Sequence, residues 1–324
     1  MNTYIVFDLE WNQASGRSES VPGMPFEIIE IGAVKLDSEF HEIDTFRGVV
    51  KPVVYPRIHF RTYEVINIGI DELRKEGMPF RKACGAFLAW CYKDGEAPRF
   101  CTWGEADTVQ LQRNLRYYRM KSPFPYPFLY YDVQKLYSLD TGVGRQKVYP
   151  LDEAVAQLGI DSSEQFHRAL DDAQYTAKVL QKIDMDRLKA YVSVDYFHLP
   201  PSRDDGIYLK FPDYSKYVSC AYDCKERMLS DKVVTDMICP RCNRILRKKL
   251  RWFTTNGRQH HCIAVCPEHG YVKGKIRIKH TDDDTVFAVK TIKLVNEDVV
   301  HTYEQRYVEA QGVRHEKNRL RKRK

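Results

Sequence analysis

Strand-like and helix-like patterns of apolar residues alternate along the first 190 residues. Runs in which apolar residues dominate or alternate with polar ones are typical of β-strands, and they cover 3–11, 27–37 and 41–52. Apolar residues at helical spacing follow, with short strand patterns between them, at 80–95, 105–121 and 171–191. This order of elements predicts an α/β fold with a mixed central sheet flanked by helices.

The pattern changes after the proline-containing stretch 198–206. Cysteines then occur in pairs, and short strand-like runs such as 273–280 and 285–295 replace the long helices. The predicted organisation is a first domain at 1–195, a linker at 196–215, a small β-rich basic domain at 216–310 and a disordered basic tail at 311–324.

The composition is typical of a soluble globular protein. Hydrophobic residues make up 43% of the 324 residues and charged residues 29%, which is enough for two domains with cores. No apolar run approaches the roughly 20 residues of a membrane-spanning helix, and the N-terminus lacks the pattern of a signal peptide. We therefore predict a cytoplasmic protein without a membrane partner, whose nine cysteines are reduced thiols or metal ligands.

Charge is unevenly divided along the chain. Residues 1–190 contain 24 Lys and Arg against 27 Asp and Glu, whereas residues 191–324 contain 27 against 17. A basic second part is a candidate binder of a polyanion such as nucleic acid, although a solvated basic surface has the same composition.

Acidic residues stand where predicted strands end and predicted helices begin. Asp8 and Glu10 are two positions apart on the first strand, so both side chains project from one face. Asp107 falls in the first turn of a predicted helix, and His167 precedes a helix that contains Asp172. Carboxylates gathered in this way suit a pair of Mg²⁺ or Mn²⁺ ions that promote phosphodiester hydrolysis, with a histidine as the base.

Three segments that contain these residues resemble the motifs of a known enzyme family. "FDLEW", "WGEADTVQL" and "HRALDDA" are similar, in this order, to the motifs of the DEDDh (DnaQ-like) 3′–5′ exonuclease superfamily, and the resemblance covers about residues 1–190. "TWGEAD" and "YYDVQKLYS" resemble most the KapD-like and Eri-type exoribonucleases.

The resemblance implies an RNase H-like fold and a metal-dependent 3′–5′ exonuclease that releases mononucleotides from a free 3′ end. It implies that the metal-binding acids are Asp8, Glu10, Asp107 and Asp172, that His167 is the general base, and that Asp171 is not a ligand. Trp11, followed by Asn12, stands where many members have a small or hydroxylated residue after the glutamate. Trp11 is therefore a candidate for stacking on a base, or for a place in the core.

Two short motifs in the second part are typical of zinc knuckles. "CPRC" provides Cys239 and Cys242, and "CPEH" provides Cys266 and His269. Thiolates with an imidazole suit tetrahedral Zn²⁺, so we predict one structural zinc in a zinc-ribbon-like domain.

The "CAYDC" stretch leaves other zinc sites open. Cys220 and Cys224 could join Cys239 and Cys242 in a four-cysteine site. They could also form a second site with some of His260, His261 and Cys262.

Basic and aromatic residues lie together between the knuckles, a combination that favours nucleic-acid binding or an exposed hairpin. The candidate contacts are Arg247, Lys248, Lys249, Arg251 and Trp252.

The preferred function is thus hydrolysis of single-stranded nucleic acid from its 3′ end, with RNA favoured over DNA. A DNA 3′–5′ exonuclease and a nucleic-acid-binding or regulatory module on a nuclease fold are the alternatives, and no protein partner is indicated. The motifs alone do not distinguish ribose from deoxyribose, because that distinction depends on a contact to the 2′-hydroxyl group.

Overall fold

The computed structural model describes residues 3–66, 69–93, 95, 97–142, 147–162 and 168–321, apart from the side chains of 17, 65, 72 and 313–321. The chain forms two compact units, Met1–His198 and Leu199–Lys324. The division falls at the start of the proline-containing stretch from which the linker was predicted.

The first unit contains a mixed sheet with the strand order β3-β2-β1-β4-β5-β6. Its strands are β1 (Tyr4–Gln13), β2 (Phe26–Leu36), β3 (Glu42–Val49), β4 (Arg99–Thr102), β5 (Leu129–Asp132) and β6 (Ser193–Val194). The first three strands pair antiparallel, whereas β1, β4 and β5 run parallel to one another. The sequence-based expectation of a mixed α/β sheet is confirmed.

Helices cover both faces of this sheet. They are α1 (Phe60–Ile66), α2 (Ile70–Glu76), α3 (Phe80–Cys91), α4 (Ala106–Tyr117), α5 (Val133–Asp140), α6 (Leu151–Gln157), α7 (Ala169–Lys182) and α8 (Met185–Leu188).

Strand β1 lies between two hydrophobic cores because its side chains alternate. Ile5, Phe7 and Leu9 pack into a core with residues of α3 and α4. Tyr4 and Val6 pack on the opposite face, with residues of α5, α6 and α7. Asp8 and Glu10 continue this second face, so two acids follow two buried apolar residues on the side that α7 covers.

Helix α7 approaches the sheet most closely at Gly32 of β2. A Cβ atom built on Gly32 would lie 2.1 Å from the backbone carbonyl carbon of Ala169 and 2.1 Å from the amide nitrogen of Leu170. Gly32 is paired with Asp8 across β1 and β2. The missing side chain therefore lets the first turn of α7 rest on the sheet beside the first acid.

The second unit contains an antiparallel sheet with the order β7-β8-β12-β11-β10-β9. Its strands are β7 (Ile207–Lys210), β8 (Tyr214–Val218), β9 (Arg247–Phe253), β10 (Gln259–Cys266), β11 (Gly270–His280) and β12 (Val286–Leu294). Its helices are α9 (Lys225–Ser230), α10 (Lys232–Thr235) and α11 (Glu297–Arg321).

Two boundaries of the second unit differ from those predicted from sequence. The expected linker at 196–215 includes strand β7 and the start of β8, because this segment pairs with β12 through β8. The tail expected to be disordered from 311 continues α11 as far as Arg321. That segment is rich in Glu, Gln, Lys, Arg and Leu, which are good helix formers. Their helix propensity explains why the segment is helical although its run of basic residues predicted disorder.

None of the helices in the described part of the chain has the length and apolar character needed to cross a membrane.

The contact at Gly32 gives a stability prediction. Gly32→Ala should destabilise the protein by about 1–3 kcal/mol or more, because the backbone of α7 must move away from the added methyl group. Gly85→Ala is the matched control, since a Cβ at Gly85 within α3 has no neighbour within 4 Å. The control should stabilise the protein by about 0.5–1 kcal/mol, because alanine favours a helix interior. Urea unfolding of both variants measures the difference, and equal stabilities would contradict the close approach of α7.

Candidate active site and metal centres

Strands β1 and β2 place acids on the face that α7 covers. In the register of the two strands Asp8 pairs with Gly32 and Glu10 with Glu30, and directly paired residues project from the same face. A register shift follows immediately, between Glu10 and Trp11, so the strand changes course after the second acid. The two carboxylates thus lie at the end of a regular, buried stretch of strand.

Helix α7 brings the third acid to this face. Oxygen atoms of Asp8, Glu10 and Asp172 all lie within 4.8 Å of one another. Asp171, the neighbouring acid on α7, is not a member of this group. Three carboxylates at this separation form a set of oxygen ligands suited to a hard divalent cation such as Mg²⁺ or Mn²⁺.

Asp107 reaches the same region from α4. Its Oδ1 accepts a hydrogen bond of 3.2 Å from the backbone N–H of Leu9, which lies between the first two acids on β1. Strand β4 pairs with β1 only as far as Val6, so this N–H lies beyond the last paired residue of β4. Asp107 is buried and lies outside the group of three, yet its charge raises the pKa of Asp8.

Burial and mutual repulsion make the ionised form of these acids costly. Burial raises the pKa of Asp8 well above its ordinary value, and Asp107, Glu10 and Asp172 raise it further. Burial, with the charges of Asp172 and Glu30, raises the pKa of Glu10 to about 8. Burial also raises the pKa of Asp107 to about 7, despite the hydrogen bond from Leu9. A bound cation would remove this repulsion, which is the reason that the cluster suits a metal.

Glu30 is a buried acid of the same face that sequence analysis missed. Arg47 donates to it from Nε at 2.6 Å, and Arg168 donates from Nε at 3.2 Å. Burial alone would raise the pKa of Glu30, but the hydrogen bonds from Arg168 and Arg47 lower it below the ordinary value. Because Arg168 directly precedes α7, this ion pair fixes the start of the helix that contributes Asp172. Glu30 can be seen in the sequence stretch "EIIEIG", but its partners depend on the register of β2 with β3 and on the position of the start of α7.

His167, the predicted general base, lies outside the described residues, and its role stays a prediction.

The two residues after Glu10 have structural contacts. Asn12 is completely buried, its Nδ2 donates to the carbonyl oxygens of Tyr55 and Arg57, and its Oδ1 accepts from the N–H of His59. The structure therefore does not support the predicted nucleic-acid contact by Asn12, because its amide is used to hold the 55–59 segment. Trp11 is half-buried against Phe26, at a ring distance of 5.7 Å, so its base-stacking role stays a prediction.

The second unit brings the four predicted zinc ligands together. Ligand atoms of Cys239, Cys242, Cys266 and His269 lie within 4.8 Å of one another. The Sγ of Cys242 is 3.6 Å from that of Cys266, and the Nδ1 of His269 is 3.6 Å from the Sγ of Cys239 and 3.5 Å from that of Cys266. Four tetrahedral ligands with bonds of 2.0–2.3 Å would be separated by about 3.4–3.8 Å. The observed distances fit a Zn²⁺ ion.

Ionisation of one thiol in this group is already favourable. Burial opposes it, but hydrogen bonds from the backbone N–H groups of Glu268 and His269 and from the His269 ring lower the pKa of Cys266 to about 6. A thiolate is the form that binds zinc.

The alternative zinc sites are not formed. In the described part of the chain, no group of three or more potential ligands includes Cys220, Cys224 or Cys262. Cys262 packs in a hydrophobic cluster, and burial raises the pKa of its thiol to about 12, as expected for a core residue. The four-cysteine alternative fails because Cys239 and Cys242 face Cys266 and His269 instead.

Some of the predicted nucleic-acid-binding side chains of β9 are exposed, whereas others form ion pairs or hydrogen bonds within the second unit. Arg247 and Arg251 are exposed, and Lys248 is half-buried. Lys249 pairs with Glu304 at 3.0 Å. Trp252 donates its Nε1 to the carbonyl oxygen of Thr235 at 2.7 Å and packs in two hydrophobic clusters, so the structure does not support its predicted nucleic-acid contact.

Known proteins resemble the first unit. Over 187 residues, the chain is 26% identical to the protein named "Probable 3'-5' exonuclease KapD" of Bacillus subtilis (strain 168), and the match covers 57% of this chain and 86% of that protein. The solved nuclease domain of 3′hExo, a DEDDh family member bound to rAMP, aligns with a TM-score of 0.51 and 20% identity, over 60% of this chain and 96% of that one.

A 3′-exonuclease structure that concerns 3′-end-specific recognition of the histone mRNA stem-loop aligns with a TM-score of 0.50 and 20% identity, over 60% of this chain and 85% of that one. At this identity the two structures establish the RNase H-like fold that the sequence resemblance implied. The model of the RNase_T exonuclease family matches residues 5–180, which is more than half of the chain. The protein therefore belongs to the RNase_T exonuclease family, and it carries the motif set of the DEDDh 3′–5′ members.

Proposed function

We propose that the protein is a metal-dependent 3′–5′ exonuclease that hydrolyses the terminal phosphodiester bond of single-stranded nucleic acid and releases nucleoside monophosphates. The observation that supports this most strongly is the group of oxygen atoms from Asp8, Glu10 and Asp172, all within 4.8 Å of one another. RNA is the preferred substrate, since one similar structure contains rAMP and another concerns an mRNA stem-loop.

The carboxylates of this face would hold two Mg²⁺ or Mn²⁺ ions. Asp8, Glu10 and Asp172 would form the first ligand set. Asp8 and the more distant Asp107, whose charge raises the pKa of Asp8, would form the second. Two such ions, when bound, stabilise the attacking and leaving oxygens of a phosphodiester displacement.

The remaining residues position these ligands and move the proton. Gly32 and the Glu30–Arg168 ion pair hold α7, and with it Asp172, against the repulsion of the other acids. His167, just before the helix, would accept the proton of the attacking water on an imidazole nitrogen, because its ordinary pKa lies near neutral pH. The four side chains at Cys239, Cys242, Cys266 and His269 would hold one structural Zn²⁺ in the other unit.

The adjacent acids of α7 provide a test of this mechanism. Asp172→Asn, Asp8→Asn and His167→Ala should each lower the rate of cleavage by about 10²–10⁴-fold, because each removes several kcal/mol of transition-state stabilisation. Asp171→Asn should cleave at close to the wild-type rate, since this acid lies outside the ligand group.

The assay uses purified protein with Mg²⁺ or Mn²⁺ and 5′-labelled single-stranded RNA and DNA of one sequence. The expected product is a ladder that shortens from the 3′ end and is stopped by a 3′-phosphate. Equal loss of activity in the Asp171 and Asp172 variants would contradict the ligand assignment. Cleavage of DNA alone would overturn the choice of RNA as substrate. Binding of nucleic acid without cleavage by the wild-type protein would overturn the proposal that the protein is an exonuclease.

The raised pKa values predict how pH affects the metal-free protein. Glu10 has a folded-state pKa of about 8 and Asp107 one of about 7, against ordinary values of 4.5 and 3.8. Between about pH 4.5 and 8 the folded protein retains protons that the unfolded chain has released, so stability should fall as pH rises. Each such proton contributes a slope of about 1.4 kcal/mol per pH unit.

Thermal unfolding in buffer without Mg²⁺ or Mn²⁺, and without a chelator that would remove zinc, measures this trend. Glu10→Gln should flatten the curve, and added Mn²⁺ should raise the melting temperature more at pH 8 than at pH 5. A metal-free protein that becomes more stable towards pH 8 would refute the proposed clustering of charges.

The zinc centre makes a separate prediction. Protein purified without chelators should contain one zinc per chain, and Cys242→Ser should lose it and lower the thermal stability, because a ligand is missing. Cys224→Ser is the control and should keep one zinc. Elemental analysis measures the zinc content of each variant. Two zinc ions per chain, or loss of zinc from the control, would favour a zinc site that uses Cys220 and Cys224.

A further inference from the structure

The second unit contains a cavity with a strongly cationic lining. It has a volume of about 450 Å³ and lies where the end of β11 and the start of β12 meet the start of α9 and the turn before β10. The side chains and backbone that line it include Lys225, Arg258, Ile278, Lys279, His280 and Val286.

All the charged residues that line the cavity are cationic. Lys225, Arg258 and Lys279 are cationic, His280 adds an imidazole, and no Asp or Glu is among the lining residues. Three acids follow closely in the turn at 282–284, but none of them lines the cavity. Like charges that converge on one space repel each other, so an anion between Lys225 and Arg258 would be stabilised by both.

The walls are held in place by local contacts. The Nζ of Lys225 donates to the carbonyl oxygen of Gly257 at 2.9 Å, which joins the start of α9 to the turn. Asn256 accepts hydrogen bonds of 3.0 Å from the N–H groups of Arg258 and Gln259, and the carbonyl of Arg258 accepts from the N–H of Ile278 at 3.1 Å. The cavity is therefore bounded by an ordered turn and by paired strands.

The positive charge of the lining also affects the pKa of a buried neighbouring residue, His260. Burial, and then the charge of Lys225, lowers the pKa of His260 to about 4. His260 is only 8% exposed, and its Nε2 has no hydrogen-bond partner among the described residues. The ring therefore stays neutral at physiological pH.

Size and polarity indicate the class of anion. A volume of about 450 Å³ lies within the range of about 300–1,000 Å³ typical of small-molecule sites. Ile278 and Val286 provide an apolar wall beside the cations, a combination that suits a phosphate group with part of the attached nucleoside. The sequence analysis identified neither Lys225 nor Arg258, because they lie 33 positions apart and meet only through the fold.

We propose that this cavity binds a phosphate group of a single-stranded nucleic acid and gives the second unit its own, sequence-independent contact with the strand. The identification of the ligand as a nucleic acid rests on the proposed function, whereas the expected affinity for a phosphodiester group rests on the residues that line the cavity. Recognition through phosphate alone makes no distinction between RNA and DNA and weakens as salt displaces the strand.

Binding by the full-length Asp8→Asn protein tests the proposal without cleavage. Fluorescence anisotropy with labelled single-stranded RNA and DNA of one sequence, over a series of salt concentrations, gives the dependence of log K on log salt. Each lost phosphate contact lowers this slope by about 0.7 for a single strand, so Lys225→Gln with Arg258→Gln, which removes two cations from around the one bound phosphate, should lower it by about 0.7 on both nucleic acids. Arg227→Gln with Lys232→Gln is the matched control, since it removes the same charge from the same unit outside the cavity.

Each outcome bears on the cavity itself. The proposed site would be overturned if the control variant lowered the slope as much as the cavity variant, or if the cavity variant kept the wild-type slope. A loss of binding confined to RNA would overturn recognition through phosphate. If circular dichroism shows that Lys225→Gln disturbs the fold, Arg258→Gln alone should lower the slope in the same direction, by up to about 0.7. A slope change in a protein whose wild-type form cleaves nothing would preserve the cavity and refute the exonuclease, so the two proposals can fail separately.

Discussion

The mutual repulsion of one buried and three half-buried carboxyl groups is the constraint on which the first unit is built. Asp8, Glu10, Asp107 and Asp172 come from one strand and two helices, and burial raises the pKa of the first three. Left to electrostatics, these groups would move apart or take up protons. Their proximity persists because the hydrophobic cores on both faces of the sheet fix the strand and the helices that contribute them.

Two contacts connect that constraint to the local geometry. Gly32 allows the backbone of α7 to rest on β2 beside Asp8. Glu30, next in the row of acids, is kept ionised by two arginines, and one of them begins the helix. A negative charge within an acidic cluster is thus used to hold the element that contributes the last ligand. The clustering of these acids is destabilising by itself, and the proposed cation would remove that cost.

The two units present opposite chemistries. The first gathers carboxylate oxygens, which suit hard divalent cations, and the second gathers thiols with an imidazole, which suit zinc. The second part of the chain also has an excess of positive charge, with 27 Lys and Arg against 17 Asp and Glu over residues 191–324, and part of it lies on β9 and around the cavity beside α9. Under the proposed function, a negatively charged strand would find cationic contacts in the second unit, whereas its cleavage would depend on the acids of the first.

The sequence by itself determined the alternating α/β order, the DEDDh motifs and the two knuckles, because these depend on side-chain period and on the spacing of neighbours along the chain. It also separated Asp172 from Asp171 through the resemblance. Only the tertiary structure decided that Asn12 holds the 55–59 segment, that Trp252 bonds to Thr235, that Cys220 and Cys224 join no ligand group among the described residues, and that Glu30 pairs with Arg168. The physical reason is that strand register, the meeting of distant turns and the saturation of polar groups depend on residues far apart in the chain, which no local pattern encodes.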